Sequence, residues 1–145
     1  MRYQFDPTLG KLSLNVSRGL GRVLVDRFSE KGFNISSDEW TVIATLYNLG
    51  STNQSNLVDL VGRDKVAIKR IIDSLEEKGF VSRVVIQKDK RYRKVMLTLY
   101  GEDLYRRLEV IAGQTLGTVL SDIDDYKIQT CLEVLEMVNK NLQVA

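Results

Sequence analysis

Four glycines, at positions 32, 50, 62 and 79, each close a run of apolar residues spaced for one face of a helix. After the fourth, the spacing changes from three or four residues to two, the period of a strand. The chain is thereby restricted to short amphipathic helices followed by a small β element. Upstream, Leu9, Leu12, Val16, Leu20, Val23, Leu24 and Phe28 share a helix face over residues 6–31. Ser36, with Glu39 three positions on, has the form of a capping box, and a second helix continues to Leu49. A polar connector, residues 51–53, leads to a third helix over 54–61, with Leu57, Leu60 and Val61 on one face. Gly62 and Arg63 make a tight turn. Asp64 then caps a fourth helix that places Ile68, Ile71, Ile72 and Leu75 on its inner side and stops at Gly79.

Residues 80–87 are rich in Val and Ile, 88–92 are polar, and 94–98 are again strand-like, which together read as a β-hairpin. Thr98 caps a helix over 99–119, and a last helix over 122–142 carries Ile128, Leu132, Leu135, Val138 and Leu142 as one stripe. The expected fold is mostly α, an α+β winged helix: one domain over 1–145, with a winged helix-turn-helix at 34–98. The flanking helices, 6–31 and 99–142, serve dimerisation, because their apolar stripes lie outside the winged helix and need a cover, for which a second chain is the economical choice. No apolar stretch approaches the roughly 18 residues of a membrane span, and the first five residues carry no signal core, so a soluble, cytoplasmic chain is expected.

Composition narrows the chemistry. The chain has no histidine and one cysteine, Cys131, which removes the commonest catalytic base, any multi-thiolate metal site and any internal disulfide. No nucleophile with a base, metal cluster or phosphate loop is visible, so neither an enzyme nor a cofactor is expected. Net charge is only +2, but its distribution is uneven: residues 1–62 balance, 63–98 carry eleven basic against five acidic residues, and 99–145 carry four against eight.

The basic excess coincides with two short helices, a glycine turn and a hairpin, the pattern of a helix-turn-helix with a wing. If Ile68, Ile72 and Leu75 face the core, Val66, Lys69, Arg70 and Asp73 turn outward, with Lys65 in the first turn. A helix laid in a major groove would offer Arg70 or Lys69 to guanine and Val66 to a thymine methyl. Lys88, Lys90, Arg91, Arg93 and Lys94 crowd the hairpin loop with Asp89 as the single acid, a self-repelling tip that phosphate or a narrow minor groove would accommodate. Candidate DNA contacts are therefore Asn53, Gln54, Ser55, Lys65, Val66, Ala67, Lys69, Arg70, Arg83, Asp89, Lys90, Arg91 and Arg93, with double-stranded DNA as partner.

Residues 56–83, with Leu57, Leu60, the helix from Asp64 to Leu75 and the run Leu75-Glu76-Glu77-Lys78-Gly79-Phe80-Val81-Ser82-Arg83, followed by Asp89-Lys90-Arg91 and Leu97-Thr98-x-x-Gly101, resemble the MarR family of bacterial winged-helix regulators. The resemblance extends to the whole chain in helix order and, in residue detail, to about 38–101. It implies an obligate homodimer on a pseudo-palindromic operator, with Arg91 reaching the minor groove and Asp89 orienting it or Arg83. It also implies release by a small, often aromatic effector, for which Trp40 and Tyr47, with Tyr100 and Tyr105, and the cations Arg18 and Arg22 are candidates. Val66 and Ala67 stand where many members have small hydroxylated residues, so the bases read are not transferable from relatives.

Two further features are weighed here. Gly19-Leu20-Gly21 lacks the preceding strand and third glycine of a dinucleotide loop, and instead marks a place where another helix packs closely, expected to be the dimer interface. Cys131 has no adjacent cation in sequence to lower its thiol pKa, which disfavours a redox-sensor role. The competing function is a winged helix used as a protein-interaction module, which has no need of a concentrated basic surface.

Overall fold

A computed structural model describes residues 8–85 and 93–145. Its elements run α1 (Leu9–Glu30), α2 (Ser37–Leu49), β1 (Ser51–Thr52), α3 (Gln54–Val61), α4 (Lys65–Glu77), β2 (Val81–Val85), β3 (Arg93–Leu97), α5 (Leu99–Val119) and α6 (Asp125–Val144). Helix ends follow the local chemistry. Gly50 and Gly62 cap α2 and α3 at φ of 84° and 75°, a region that side-chain-bearing residues occupy at a cost. The Ser36 hydroxyl accepts from the Glu39 N–H at 3.0 Å and the Glu39 carboxylate accepts from the Ser36 N–H at 3.1 Å, so the capping box forms in full. Asn53 and Asp64 cap α3 and α4, each accepting a backbone N–H at 2.8 Å. Thr8 caps α1, which begins at Leu9 rather than at residue 6.

The chain forms two compact units, Met1–Thr115 and Leu116–Ala145. Within the first, the three strands are antiparallel in the order β1-β3-β2, with Thr52 opposite Val95, and Val81 and Val85 opposite Leu97 and Arg93. This corrects the expected connector at 51–53: Ser51 and Thr52 form the third strand, and Thr52 is buried. One core joins every element of this unit except β1, through Phe28 of α1, Val42, Ile43 and Leu46 of α2, Leu57 of α3, Ile68, Ile71, Ile72 and Leu75 of α4, Val81, Val95, Leu97, Leu104 and Leu108. The inner face of α4 is thus wholly committed to packing. Leu60, expected inside with Leu57, is exposed.

Two details fix α1, α2 and α4 to one another. A Cβ on Gly21 would lie 2.6 Å from the Ser37 hydroxyl, so this glycine lets α1 pass close to the start of α2 in the same chain. The close helix packing expected at this glycine is thus met within one chain, while Gly19 has open space around it. Glu39 is buried, and beyond its capping role its second oxygen accepts from the Lys78 ammonium at 2.9 Å and the Ser74 hydroxyl at 3.4 Å. Glu39→Ala removes the box, the pair and the α2–α4 tie together. It is expected to cost about 2 kcal/mol, less than a fully buried pair because Lys78 can rehydrate, and to appear as a lower urea midpoint at unchanged slope.

The second unit comprises the last turn of α5, a turn in which Asp122 has φ of 65°, and α6. Asp124 precedes α6 and makes no side-chain cap bond, so the helix begins at Asp125 and not at 122. No residue of α6 is buried: Leu132, Leu135 and Leu142 of the expected stripe are exposed, and Ile128 and Val138 half-exposed. No helix among the described residues is long and apolar enough to cross a membrane.

Candidate nucleic-acid interface

The helix-turn-helix is α3 and α4 joined through Gly62, and its geometry rests on the contrast between the two faces of α4. Ile68, Ile71, Ile72 and Leu75 are buried, whereas Lys65, Val66, Lys69 and Arg70 are exposed, Val66 at 77%. An apolar valine left that open on a helix whose other side is a packed core is the kind of group that a thymine methyl covers. Ala67 is half-buried, and its backbone N–H is taken by the Asp64 cap. Beside the start of α4, a cleft of about 260 Å3 is lined by Gln54, Ser55, Val58, Asp59 and Lys65. Ser55 is exposed there; Asn53 is exposed outside the cleft lining, its side-chain Oδ1 engaged as the α3 cap.

Arg83 departs from the sequence expectation. Its side chain is only 14% exposed, and the guanidinium is committed inside the protein: Nη2 donates to Asp73 at 2.6 Å, Nη1 to Glu76 at 2.9 Å and Nε to Gln54 at 3.2 Å. A residue on β2 thereby clamps α3 and α4 into one orientation. Arg83 is a bracket for the interface rather than a group presented to DNA, and Gln54 is drawn into the same bracket. Asp73 also accepts from the Lys69 ammonium at 2.8 Å. Hydrogen bonds from Lys69 and then Arg83 hold the Asp73 carboxyl below its ordinary value of 3.8. A carboxyl lowered on folding stabilises the fold above the ordinary value and loses that contribution as pH falls through the depressed one, so Asp73 is ionised at neutral pH.

The basic excess of residues 63–98 is therefore partly neutralised from within, by Asp38 on Arg63 at 2.6 Å, Glu39 on Lys78, Asp73 on Lys69, and Asp73 with Glu76 on Arg83. Among the described residues, Lys65, Arg70, Arg93 and Lys94 have no carboxylate partner. Arg93 and Lys94 are exposed at the start of β3. Asp89, Lys90 and Arg91 lie outside the described residues, as does the expected role of Asp89 in orienting Arg91.

The residues proposed for an effector are dispersed differently from the expectation. Trp40 stacks on Tyr105 at 5.7 Å, Tyr105 on Tyr47 at 3.9 Å, and Phe28 meets Trp40 edge-on at 5.4 Å, so these rings form a packed ladder with Tyr105 buried. Arg18 and Arg22 are exposed on α1. A larger groove, of about 450 Å3, lies elsewhere, between the α1–α2 connection, the end of α4 and the start of α5, where Phe33, Lys78, Phe80, Tyr100 and Arg107 line it. Of the aromatic candidates only Tyr100 reaches it. The glutamate partners of Arg83 and Lys78 and the Gln54 bond escaped sequence reasoning. The available signal was Asp73 and Glu76 on one side of α4, three residues apart.

Comparison with known proteins agrees with this geometry. The MarR family model matches residues 35–92, a span that takes in α2 to β2. The chain superposes on the transcriptional regulator PA3341 with a TM-score of 0.83 at 29% identity, covering 95% of this chain and 100% of that one. A mutant MarR from E. coli complexed with operator DNA gives 0.78 at 24% identity, with 90% and 92% covered. A probable transcriptional regulator from Pseudomonas aeruginosa gives 0.79 at 18% identity, with 93% and 99% covered.

Proposed function

We propose that the chain is a regulator of the MarR family, whose model matches residues 35–92, and that it represses transcription by occupying operator DNA as a homodimer. The observation that carries this reading is the division of α4 into a wholly packed inner face and an open face bearing Lys65, Val66, Lys69 and Arg70. Laid in a major groove, that face offers cations to phosphates and guanine edges, with Ser55 and Asn53 at the flank and Arg93 of β3 available to the adjacent backbone, while the resemblance assigns the minor groove to Arg91. The structurally similar E. coli MarR mutant was complexed with operator DNA, which supports the same use of the fold here.

Dimerisation is supported by what a single chain leaves uncovered. The apolar stripe of α1 is buried at Phe28 and open at Leu9, Leu12 and Val16, and α6 buries nothing. Exposed apolar stripes of this kind on each unit mark an interface. Two copies related by a two-fold axis would match the two halves of a pseudo-palindromic site. Release by a small aromatic effector is supported by the 450 Å3 groove, whose size is in the usual ligand range and whose walls join the end of α4 to the start of α5. A ligand with different affinities for two dimer geometries would shift the spacing of the recognition helices.

The test is sedimentation of the protein with and without a fluorescent duplex drawn from DNA upstream of its own gene, with anisotropy alongside. Two chains per duplex and preference over scrambled DNA are expected, and Arg91→Ala should weaken binding by ~1 kcal/mol or more, the scale of one charged contact. A monomer bound equally to both duplexes would instead favour the protein-interaction module.

A further inference from the structure

The bracket around Arg83 contains a carboxylate, Asp73, on the outward side of the helix that faces DNA. A negative charge there works against binding, and its presence calls for a physical account. Asp73 is shared by two cations of different standing. Arg83 is nearly buried and retains Glu76 and Gln54 as further partners. Lys69 is two-thirds exposed, depends on Asp73 alone among the described residues, and precedes it by four positions, the less favourable order for an ion pair on a helix. The Lys69 pair is therefore weak and easily exchanged, while the Arg83 pair is fixed. Lys69, Asp73, Glu76 and Arg83 together carry no net charge, so this part of α4 attracts a generic polyanion little.

We propose that Asp73 restrains DNA binding: it neutralises Lys69 toward arbitrary DNA and gives it up only to a duplex that seats α4 closely enough to capture the ammonium, which lowers affinity for every duplex. This rests on the reading of the chain as a sequence-specific DNA-binding protein. On scrambled DNA, Lys69 stays with Asp73 and contributes no phosphate contact. On a matched site, Lys69 exchanges its carboxylate for a phosphate or a guanine edge, and Asp73 remains held by Arg83, so the orientation of the helix survives the exchange.

The test uses the full chain and a duplex that the wild type selects from a randomised library, against a scrambled duplex of equal length, in anisotropy titrations at several salt concentrations. Asp73→Asn keeps the shape of the side chain, and Glu76 and Gln54 still hold Arg83. It is expected to bind scrambled DNA about 5-fold more tightly, with a log–log salt slope steeper by about 0.9, the release of one further counterion. Its affinity for the selected duplex should rise by at least as much, because the wild type makes that contact only by giving up the Lys69–Asp73 pair. Lys69→Gln with Asp73→Asn restores the neutral cluster and should return scrambled-DNA affinity and slope to wild-type values, while binding to the selected duplex falls about 5-fold. Asp73→Asn weakening both duplexes alike would assign the residue a merely structural role and overturn the proposal. So would a gain on scrambled DNA that persists in the double variant. A wild type that selects no sequence would fail one step earlier, overturning the DNA-reading function and this proposal with it.

Discussion

Arg70→Glu is expected to weaken binding to operator DNA by about 100-fold or more, with no loss of thermal stability. Arg70 is exposed on the outer face of α4, on the turn after Val66, and has no carboxylate partner among the described residues. Nothing internal is therefore lost when it changes. On DNA the same change removes a cation suited to guanine O6 and N7 or to a phosphate, each good contact being worth about 1–3 kcal/mol, and sets an anion against the backbone. The sum is about 3 kcal/mol, which corresponds to the expected fold-change. Anisotropy titration with circular-dichroism melting checks both halves. A loss below 3-fold at unchanged melting would remove α4 from the interface.

Gly101→Val acts on the fold instead, and is expected to remove at least about 3 kcal/mol of stability. A Cβ at this position would collide with the carbonyl oxygen of Phe80 and sit 2.9 Å from its carbon and 3.2 Å from its Cα, all backbone. The approach is that close because Thr98 ties the start of α5 to the turn before β2. Its N–H donates to the Phe80 carbonyl at 3.0 Å, and its hydroxyl donates to the Gly79 carbonyl at 2.7 Å and accepts from the Gly101 N–H at 3.0 Å. Any side chain must part these segments, losing the cap, two hydrogen bonds and the stacking of Phe80 on Tyr100 at 4.8 Å. Gly101→Ala provides the sharper sign test. In an unobstructed helix it would stabilise by up to about 1 kcal/mol, whereas here it is expected to destabilise, read as the urea midpoint. Stabilisation by alanine would contradict this account of the Leu97-Thr98-x-x-Gly101 motif.

What was legible in the sequence was what short-range chemistry encodes. Gly50 and Gly62, the Ser36–Glu39 box and the Asp64 cap set the limits of α2, α3 and α4, and the spacing of Ile68, Ile72 and Leu75 fixed which side of α4 is open. β1 escaped because two residues carry no periodicity, and its strand character comes from Met96 and Val95 across the sheet. The start of α6 was misplaced because Asp122 adopts a left-handed turn instead of a cap. The clamp on Arg83 was out of reach for another reason. Gln54 lies 29 positions before Arg83, and Glu39 lies 39 before Lys78, separations at which only the tertiary fold decides the partner. Counting charge along the chain consequently overstated the free cations of the basic segment. The aromatic ladder misled similarly: Trp40, Tyr47 and Tyr105 share no sequence signal that distinguishes a packed stack from a ligand wall.

The most direct test of the central claim is the salt dependence of wild-type binding to its selected duplex and to scrambled DNA, measured by anisotropy under identical conditions. The account predicts that the selected duplex binds at least about 1,000-fold more tightly, and that affinity for both falls linearly with log salt at about −0.9 per phosphate neutralised. Equal affinity for the two duplexes, or binding with no salt slope, would contradict it and leave the open face of α4 to a protein partner.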